Sequence, residues 1–162
     1  MSFEKKIPEV MPLATAAVTD PVCCQIAGLC WRQSGKEIEV LLITSRDTGR
    51  WVLPKGWPIK GLSGPQSALR EAYEEAGVEG VATNRPIGAY PYVKTVDAQN
   101  GFPCEVTVFP IEVKHLASRF PEASQRQRKW FPLAKAAKKV DEAELSALIR
   151  GFDPDRIAAT RD

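Results

Sequence analysis

The segment GWPIKGLSGPQSALREAYEEAGV, residues 56–78, is the stretch from which the rest of the chain can be placed. Ahead of it, Trp51-Val52-Leu53 is a short apolar run ended by Pro54, read as a strand entering an irregular loop over residues 55–64, rich in Gly, Lys and Pro. Ser63-Gly64-Pro65-Gln66 is a capping-box pattern, with Ser at the N-cap, Gln three residues later, and Pro where its missing N–H is harmless. A helix is therefore predicted from Ser63 or Gly64 to about Ala76, closed by Gly77. On its wheel Leu69, Ala72 and Ala76 share one side, while Glu71, Glu74 and Glu75 share the other. Carboxylates three and four apart repel by about 0.2–0.5 kcal/mol per pair, so helix stability does not select this arrangement. A solvated acidic face is its plainest explanation. A hard cation such as Mg²⁺ is the other, because it takes oxygen ligands and turns the repulsion into attraction.

Working outward, residues 22–32 and 38–44 are strand-like and flank Ser34-Gly35-Lys36, a hairpin signal. Strands are also expected over residues 87–96 and 105–113, with Asn100-Gly101 as a turn, and at Lys129-Trp130-Phe131. Residues 133–150 have the Ala, Lys, Glu and Leu content of one or two helices. The pattern predicts an α+β fold, an α/β/α sandwich built on a mixed sheet. Residues 1–20 read as an N-terminal arm, residues 21–152 as one domain, and residues 153–162 as a tail.

The 162 residues are enough for one domain with an ordinary core, and 44% hydrophobic content with 26% charged residues is a globular composition. A net charge of +2 provides no general field for nucleic acid or membranes, so any basic site must be local. Cys23, Cys24, Cys30 and Cys104 form no C-x-x-C pair, and His115 is the single histidine, so a thiolate–imidazole metal site is not indicated. Buried free thiols in a reducing compartment are the expectation, and with neither an apolar span nor a secretory leader in this sequence, a cytoplasmic location.

Gly56, followed at the correct offset by Arg70-Glu71-Ala72-Tyr73-Glu74-Glu75-Ala76-Gly77-Val78, resembles the Nudix box. That box is Gly, five residues, Glu, seven residues, then Arg-Glu, an aliphatic, any residue, Glu-Glu, any residue, Gly and an aliphatic. One fixed position departs: Leu62 stands where the family has its first Glu. In the family this Glu is thought to brace the box Arg, here Arg70, rather than bind the essential metal. The resemblance implies a loop-helix-loop carrying Mg²⁺, with Mn²⁺ a substitute. Its ligands would be Glu71, Glu74, Glu75 and the carbonyl of Lys55, with Glu74 or Glu75 preferred as general base over Glu105, Glu122 and Asp97. Arg70, Glu74 and Glu75 are the catalytic residues it implies.

Outside the box, Ser45-Arg46, Arg50-Trp51-Val52-Leu53-Pro54 and Arg126-Gln127-Arg128-Lys129-Trp130-Phe131 are similar to the diphosphoinositol polyphosphate and diadenosine polyphosphate hydrolase branch. The resemblance implies a phosphorylated small-molecule substrate met by Arg46, Lys55, Gly56, Lys60, Lys94, Arg126 and Arg128, since Arg binds phosphate bidentately and Lys as a point charge. Trp57 is either a stacking platform or a loop anchor. A monomer or homodimer is expected. ADP-ribose, a nucleoside triphosphate or an RNA 5′ end are alternative substrates, because the box reports the bond and not its flanking groups. A module that senses a ligand without cleaving it is the alternative from another class. A nucleic-acid-binding domain is disfavoured by the charge balance.

Overall fold

The computed structural model describes residues 8–159. At its centre β2 (Cys23–Ser34) and β8 (Asn100–Leu116) run parallel, in register from Cys23↔Cys104 to Trp31↔Glu112. Turning at Gly35, whose φ of 62° suits a residue without Cβ, β2 pairs antiparallel with β3 (Glu37–Thr44). Beyond β3 lie β4 (Trp51–Val52) and β9 (Arg128–Pro132). The far edge of β8 takes β7 (Gly88–Thr95) along its first half and β6 (Val78–Ala82) along its second. The sheet is mixed, as the strand pattern implies.

Two apolar faces follow from the alternation along β2 and β3. Ala27, Leu29, Val40 and Leu42 face α3 (Leu133–Lys139) and α4 (Ala143–Arg150), packing with Ala136, Leu145, Ile149 and Phe152. On the opposite face Ile26, Cys30, Leu41 and Ile43 receive α2 (Gly64–Ala76) through Ala68, Ala72 and Ala76. Small residues on α2 let its backbone approach the sheet closely. Helices on both faces of a mixed sheet make the expected sandwich.

The helical stretch predicted over residues 133–150 is two helices separated at Val140, whose extended backbone breaks the run. The turn expected at Asn100-Gly101 lies a few residues earlier: the Asp97 carboxylate accepts from the backbone of Gln99 and Asn100, and Gly101 already pairs with Thr95. The strand expected over residues 105–113 is accordingly much longer. Part of the expected arm is built into the domain, as β1 (Met11–Pro12), which pairs with β8, and α1 (Leu13–Ala16). Residues 1–7 lie outside the described residues. The expected tail contains α5 (Pro154–Ala159), and residues 160–162 are again outside the described residues.

The cysteine expectation is corrected. Cys23 and Cys104 form a disulfide across the parallel β2–β8 pair, where their Cα atoms lie 4.8 Å apart, within normal bridging reach. Cys24 is exposed, and only Cys30 is a buried free thiol. The partners are 81 residues apart in sequence, so only strand pairing brings them together.

Gly77 ends α2 with φ 69°, and a Cβ there would run into the Phe120 ring, the Arg128 guanidinium and the Ala117 carbonyl. Gly77→Ala is expected to destabilise by at least about 1–2 kcal/mol, from the left-handed conformation alone. A fall in the urea midpoint at unchanged m-value is the check.

Candidate active site

The loop entering α2 is held at both ends. Ser63 Oγ accepts from Gln66 N and the Gln66 side chain accepts from Ser63 N, the complete capping box. Ser67 Oγ accepts from Ile59 N at 3.1 Å, and Leu62 N donates to Ile59 O at 3.0 Å, so the middle of the loop is braced although Leu62 has no carboxylate. Before it, Lys55 and Gly56 form β5 (Lys55–Gly56), which pairs with Ala27 and Ile26 of β2. A Cβ on Gly56 would overlap the Glu71 carboxyl, so glycine is what allows α2 to press that carboxyl against the loop.

Glu75 points inward rather than into solvent, being only 6% exposed on the side of α2 that carries Ala68, Ala72 and Ala76. Its Oε1 accepts from Lys55 N at 3.4 Å and lies 3.5 Å from the Arg126 guanidinium. Arg126 is held in turn by Glu122 Oε1 at 2.8 Å and by the Thr44 carbonyl at 3.2 Å. The Glu122 N–H donates to the Glu74 carbonyl, which ties this loop to α2. Beside these groups opens a cavity of about 270 Å³ whose charged lining includes Arg46, Lys55, Lys94, Arg126 and Glu75. Tyr92 and Trp57 form part of its wall. Lys55 Nζ sits 4.4 Å from the Tyr92 ring centre, and Trp57 stacks on Phe102, a loop-anchoring contact.

Burial controls the charges. Desolvation, opposed by Arg126 and reinforced by Glu71, pushes Glu75 up to about 8, and Glu75 shares a hydrogen bond with Glu71. Glu71 is raised as well, first by burial. Loss of solvent brings Lys55 down to about 8 against the attraction of Glu75. As pH rises from about 4.5 to about 8, an unfolded chain ionises Glu75 while the folded protein keeps its proton, so stability falls across that window. From about 8 to about 10.5 the unfolded Lys55 holds its proton longer than the folded one, so stability recovers as pH rises. In metal-free buffer the contribution of this pair is expected to be least favourable near pH 8. Urea midpoints between pH 5 and 10 test this, and Glu75→Gln should flatten the acid side.

A family model described as NUDIX domain matches residues 25–152. The chain belongs to the Nudix family. Among curated Nudix relatives, "Nudix hydrolase 16, mitochondrial" of Arabidopsis thaliana is 32% identical over 125 residues, 74% of this chain and 68% of that protein. "Diphosphoinositol polyphosphate phosphohydrolase 3-alpha" of Homo sapiens is 35% identical over 116 residues, 69% of this chain and 65% of that one. The chain spans about half the length of several other curated relatives, for instance 52% of "Nudix hydrolase 21, chloroplastic" of Arabidopsis thaliana. The Nudix fold recurs in a solved C. elegans Ap4A hydrolase binary complex, with TM-score 0.61 at 22% identity, covering 85% of this chain and 98% of that one. It recurs also in the NUDIX domain of Shewanella oneidensis NrtR complexed with ADP ribose, with TM-score 0.58 at 20% identity, covering 86% of this chain and 97% of that one.

Of the Nudix-box residues, Gly56, Glu71 and Glu75 come together, whereas Glu74 stands half-exposed beside them. Arg70 is exposed and makes no ion pair with Glu74. Of the proposed cations, Arg46, Lys55, Lys94 and Arg126 line the cavity. Lys60 is exposed and outside its lining. Arg128 donates to the Ala76 carbonyl at 2.7 Å and covers the Phe120 ring, so it caps the C-terminal end of α2 instead. Glu105 is exposed on β8, and Asp97 is engaged in its turn.

Sequence reading missed Gln25 and Tyr92 as lining residues. The signal for Gln25 was a lone amide at the head of an apolar strand. Among the described residues no three His, Cys, Asp or Glu side chains form a ready metal cage. The hydrogen-bonded pair Glu71 and Glu75 does fit Mg²⁺, which needs only one or two protein carboxylates and completes its octahedron with water and substrate phosphate. No helix is long and apolar enough to cross a membrane among the described residues.

Proposed function

We propose that this chain is a Mg²⁺-dependent pyrophosphohydrolase that cuts a diphosphate bond in a nucleoside or inositol polyphosphate. The observation that carries the reading is the juxtaposition of an electron-rich carboxyl pair, Glu71 and Glu75, with a cavity bearing Arg46, Lys55, Lys94 and Arg126. Four cations around about 270 Å³ match a substrate with several phosphates better than one with a single phosphate. Glu71 and Glu75, with the Lys55 carbonyl, are the groups that would hold the ion. When bound, Mg²⁺ neutralises diphosphate oxygens and makes its water more acidic.

Arg46 and Lys94 hold the phosphate chain in the cavity, and Arg126 orients Glu75. Of the three box glutamates Glu75 is the one lining the cavity, which supports the reading that it takes the proton from the attacking water. The family resemblance and the diphosphoinositol and Ap4A relatives support the substrate class. The test is product identification after incubation with Mg²⁺ and, separately, a dinucleoside polyphosphate, a diphosphoinositol polyphosphate, ADP-ribose, a nucleoside triphosphate and RNA with a 5′ triphosphate. Turnover is expected with the first or second at the highest kcat/KM. Leu62 in the box favours a second reading, a module that binds such a ligand without cleaving it. Tight binding with no turnover in Mg²⁺ or Mn²⁺ selects that reading.

A further inference from the structure

Arg126 is engaged on each of its three nitrogens by a different part of the chain. Its Nε donates to Glu122 Oε1 at 2.8 Å, its Nη1 donates to the Thr44 carbonyl at 3.2 Å, and its Nη2 faces Glu75 Oε1 at 3.5 Å. Glu122 sits in a turn over residues 121–125 that the backbone pins in place: Glu122 N donates to the Glu74 carbonyl at 3.0 Å and Gln125 N to the Glu122 carbonyl at 2.9 Å. Arg126 lines the cavity beside Arg46, Lys55 and Lys94, whereas Glu122 is not part of that lining. A guanidinium in the wall of a phosphate site has two competing partners, the carboxylates around it and the anion that enters. Of the three contacts of Arg126 the one to Glu75 is the longest, so by itself it is the least able to keep the group in place.

We infer that Glu122 is a positioning residue, which acts through Arg126 to hold Glu75 in its working orientation. This rests on the pyrophosphohydrolase reading above. One hydrogen bond leaves a guanidinium free to pivot, while bonds on two different nitrogens fix its plane. With Nε held by Glu122 and Nη1 by Thr44, the Nη2 edge is kept toward Glu75. Without Glu122 the side chain can pivot on Thr44 and give its charge to the substrate phosphates, and Glu75 loses the partner that aims it. The role needs no contact between Glu122 and water, ion or substrate. Glu122 also faces Arg46, but at 3.8 Å and with Arg46 57% exposed that pair contributes little, and Arg46 keeps its bond to Gln125 Oε1 at 3.2 Å. The effect therefore belongs to kcat and not to KM.

The experiment compares the wild-type protein with Glu122→Met, which keeps the stem and removes the acceptor, and Glu122→Gln, which keeps an acceptor and removes the charge. Arg126→Met and the Glu122→Met, Arg126→Met double variant complete the set, with thermal melts of each. Glu122→Ser replaces Glu122→Met if that protein melts below the assay temperature. With Mg²⁺, kcat and KM are measured for a dinucleoside tetraphosphate and for a diphosphoinositol polyphosphate. Exchange of the Arg126 Nε–H with solvent is followed by ¹⁵N NMR, the resonance being assigned by its absence from Arg126→Met. The expected result is that Glu122→Met lowers kcat about ten- to a hundredfold with KM little changed, the usual cost of removing a group that orients a working carboxylate at one remove. Its Nε–H should exchange about tenfold faster, as loss of one charge-assisted hydrogen bond predicts. Glu122→Gln should retain most of the wild-type kcat and protection, and Glu122→Met should add no further loss in kcat once Arg126 is gone. A Glu122→Gln protein as slow as Glu122→Met overturns the inference, because the carboxylate is then itself acting on water or the ion. Unchanged kcat in Glu122→Met, or losses that multiply in the double variant, overturn it too. Absence of turnover in the wild-type protein overturns the hydrolase reading, while the exchange rates still decide whether Glu122 holds Arg126 against Glu75.

Discussion

Glu75→Gln is expected to lower kcat by about 10²- to 10⁴-fold, the usual contribution of a positioned general base, with the fold intact. The amide is isosteric and can still accept from Lys55 N, the contact made by Glu75 Oε1 at 3.4 Å. It cannot bind a cation as a carboxylate does, nor accept a proton from water. Glu75 is also a carboxyl that burial already holds largely protonated near neutral pH, so its neutral isostere should cost the metal-free protein little stability. Single-turnover rates, together with a thermal melt of the same sample, separate the catalytic loss from any loss of structure. A Glu75→Gln protein that retains wild-type turnover would remove the basis for placing the reaction beside this residue.

Above about pH 8, where Glu75 is ionised, Arg126→Met is expected to destabilise the protein by about 3 kcal/mol, the lower end of the cost of breaking a buried ion pair. The substitution keeps the apolar stem and removes the group that faces Glu75, Glu122 and the Thr44 carbonyl. The low end is appropriate because Glu75 can answer by holding its proton more tightly, and Glu122 is 21% exposed and retains access to water. The loss should shrink in the Glu75→Gln, Arg126→Met double variant, since one uncompensated carboxylate is then absent. Urea unfolding of the four proteins gives the coupling directly. Additive losses would show that the two side chains do not act as a pair.

How far the site could be read without coordinates varies from residue to residue. The entry and exit of α2 were legible because Ser63, Pro65, Gln66 and Gly77 act on their own neighbours through local hydrogen bonds and allowed backbone angles. The pairing of Gly56 with Glu71 and Glu75 was legible only through the resemblance of their spacing to the Nudix box. Two-residue β5 and the bulged β6 were not, since neither has a run long enough to show a period, and Gly80 has no side chain to mark the bulge where Glu112 approaches. The helical wheel put Glu75 with Glu71 and Glu74, but a wheel does not say where the sheet lies. Once β2 and β8 press against α2, the boundary between buried and exposed falls between Glu75 and Glu74.

By itself, the chain of residues determined that a capped helix with a glutamate-bearing face follows a glycine loop, that strands flank it, and that the family pattern is Nudix. These features depend on short-range geometry, which sequence order specifies. Tertiary structure alone decided which cations surround the cavity, that Arg128 serves the end of α2 while Arg126 serves Glu75, that Cys23 meets Cys104, and that Gln25 is left with an unanswered oxygen. Each of these joins segments far apart in the chain, and only the pairing of strands and the packing of helices on a sheet fixes such distances.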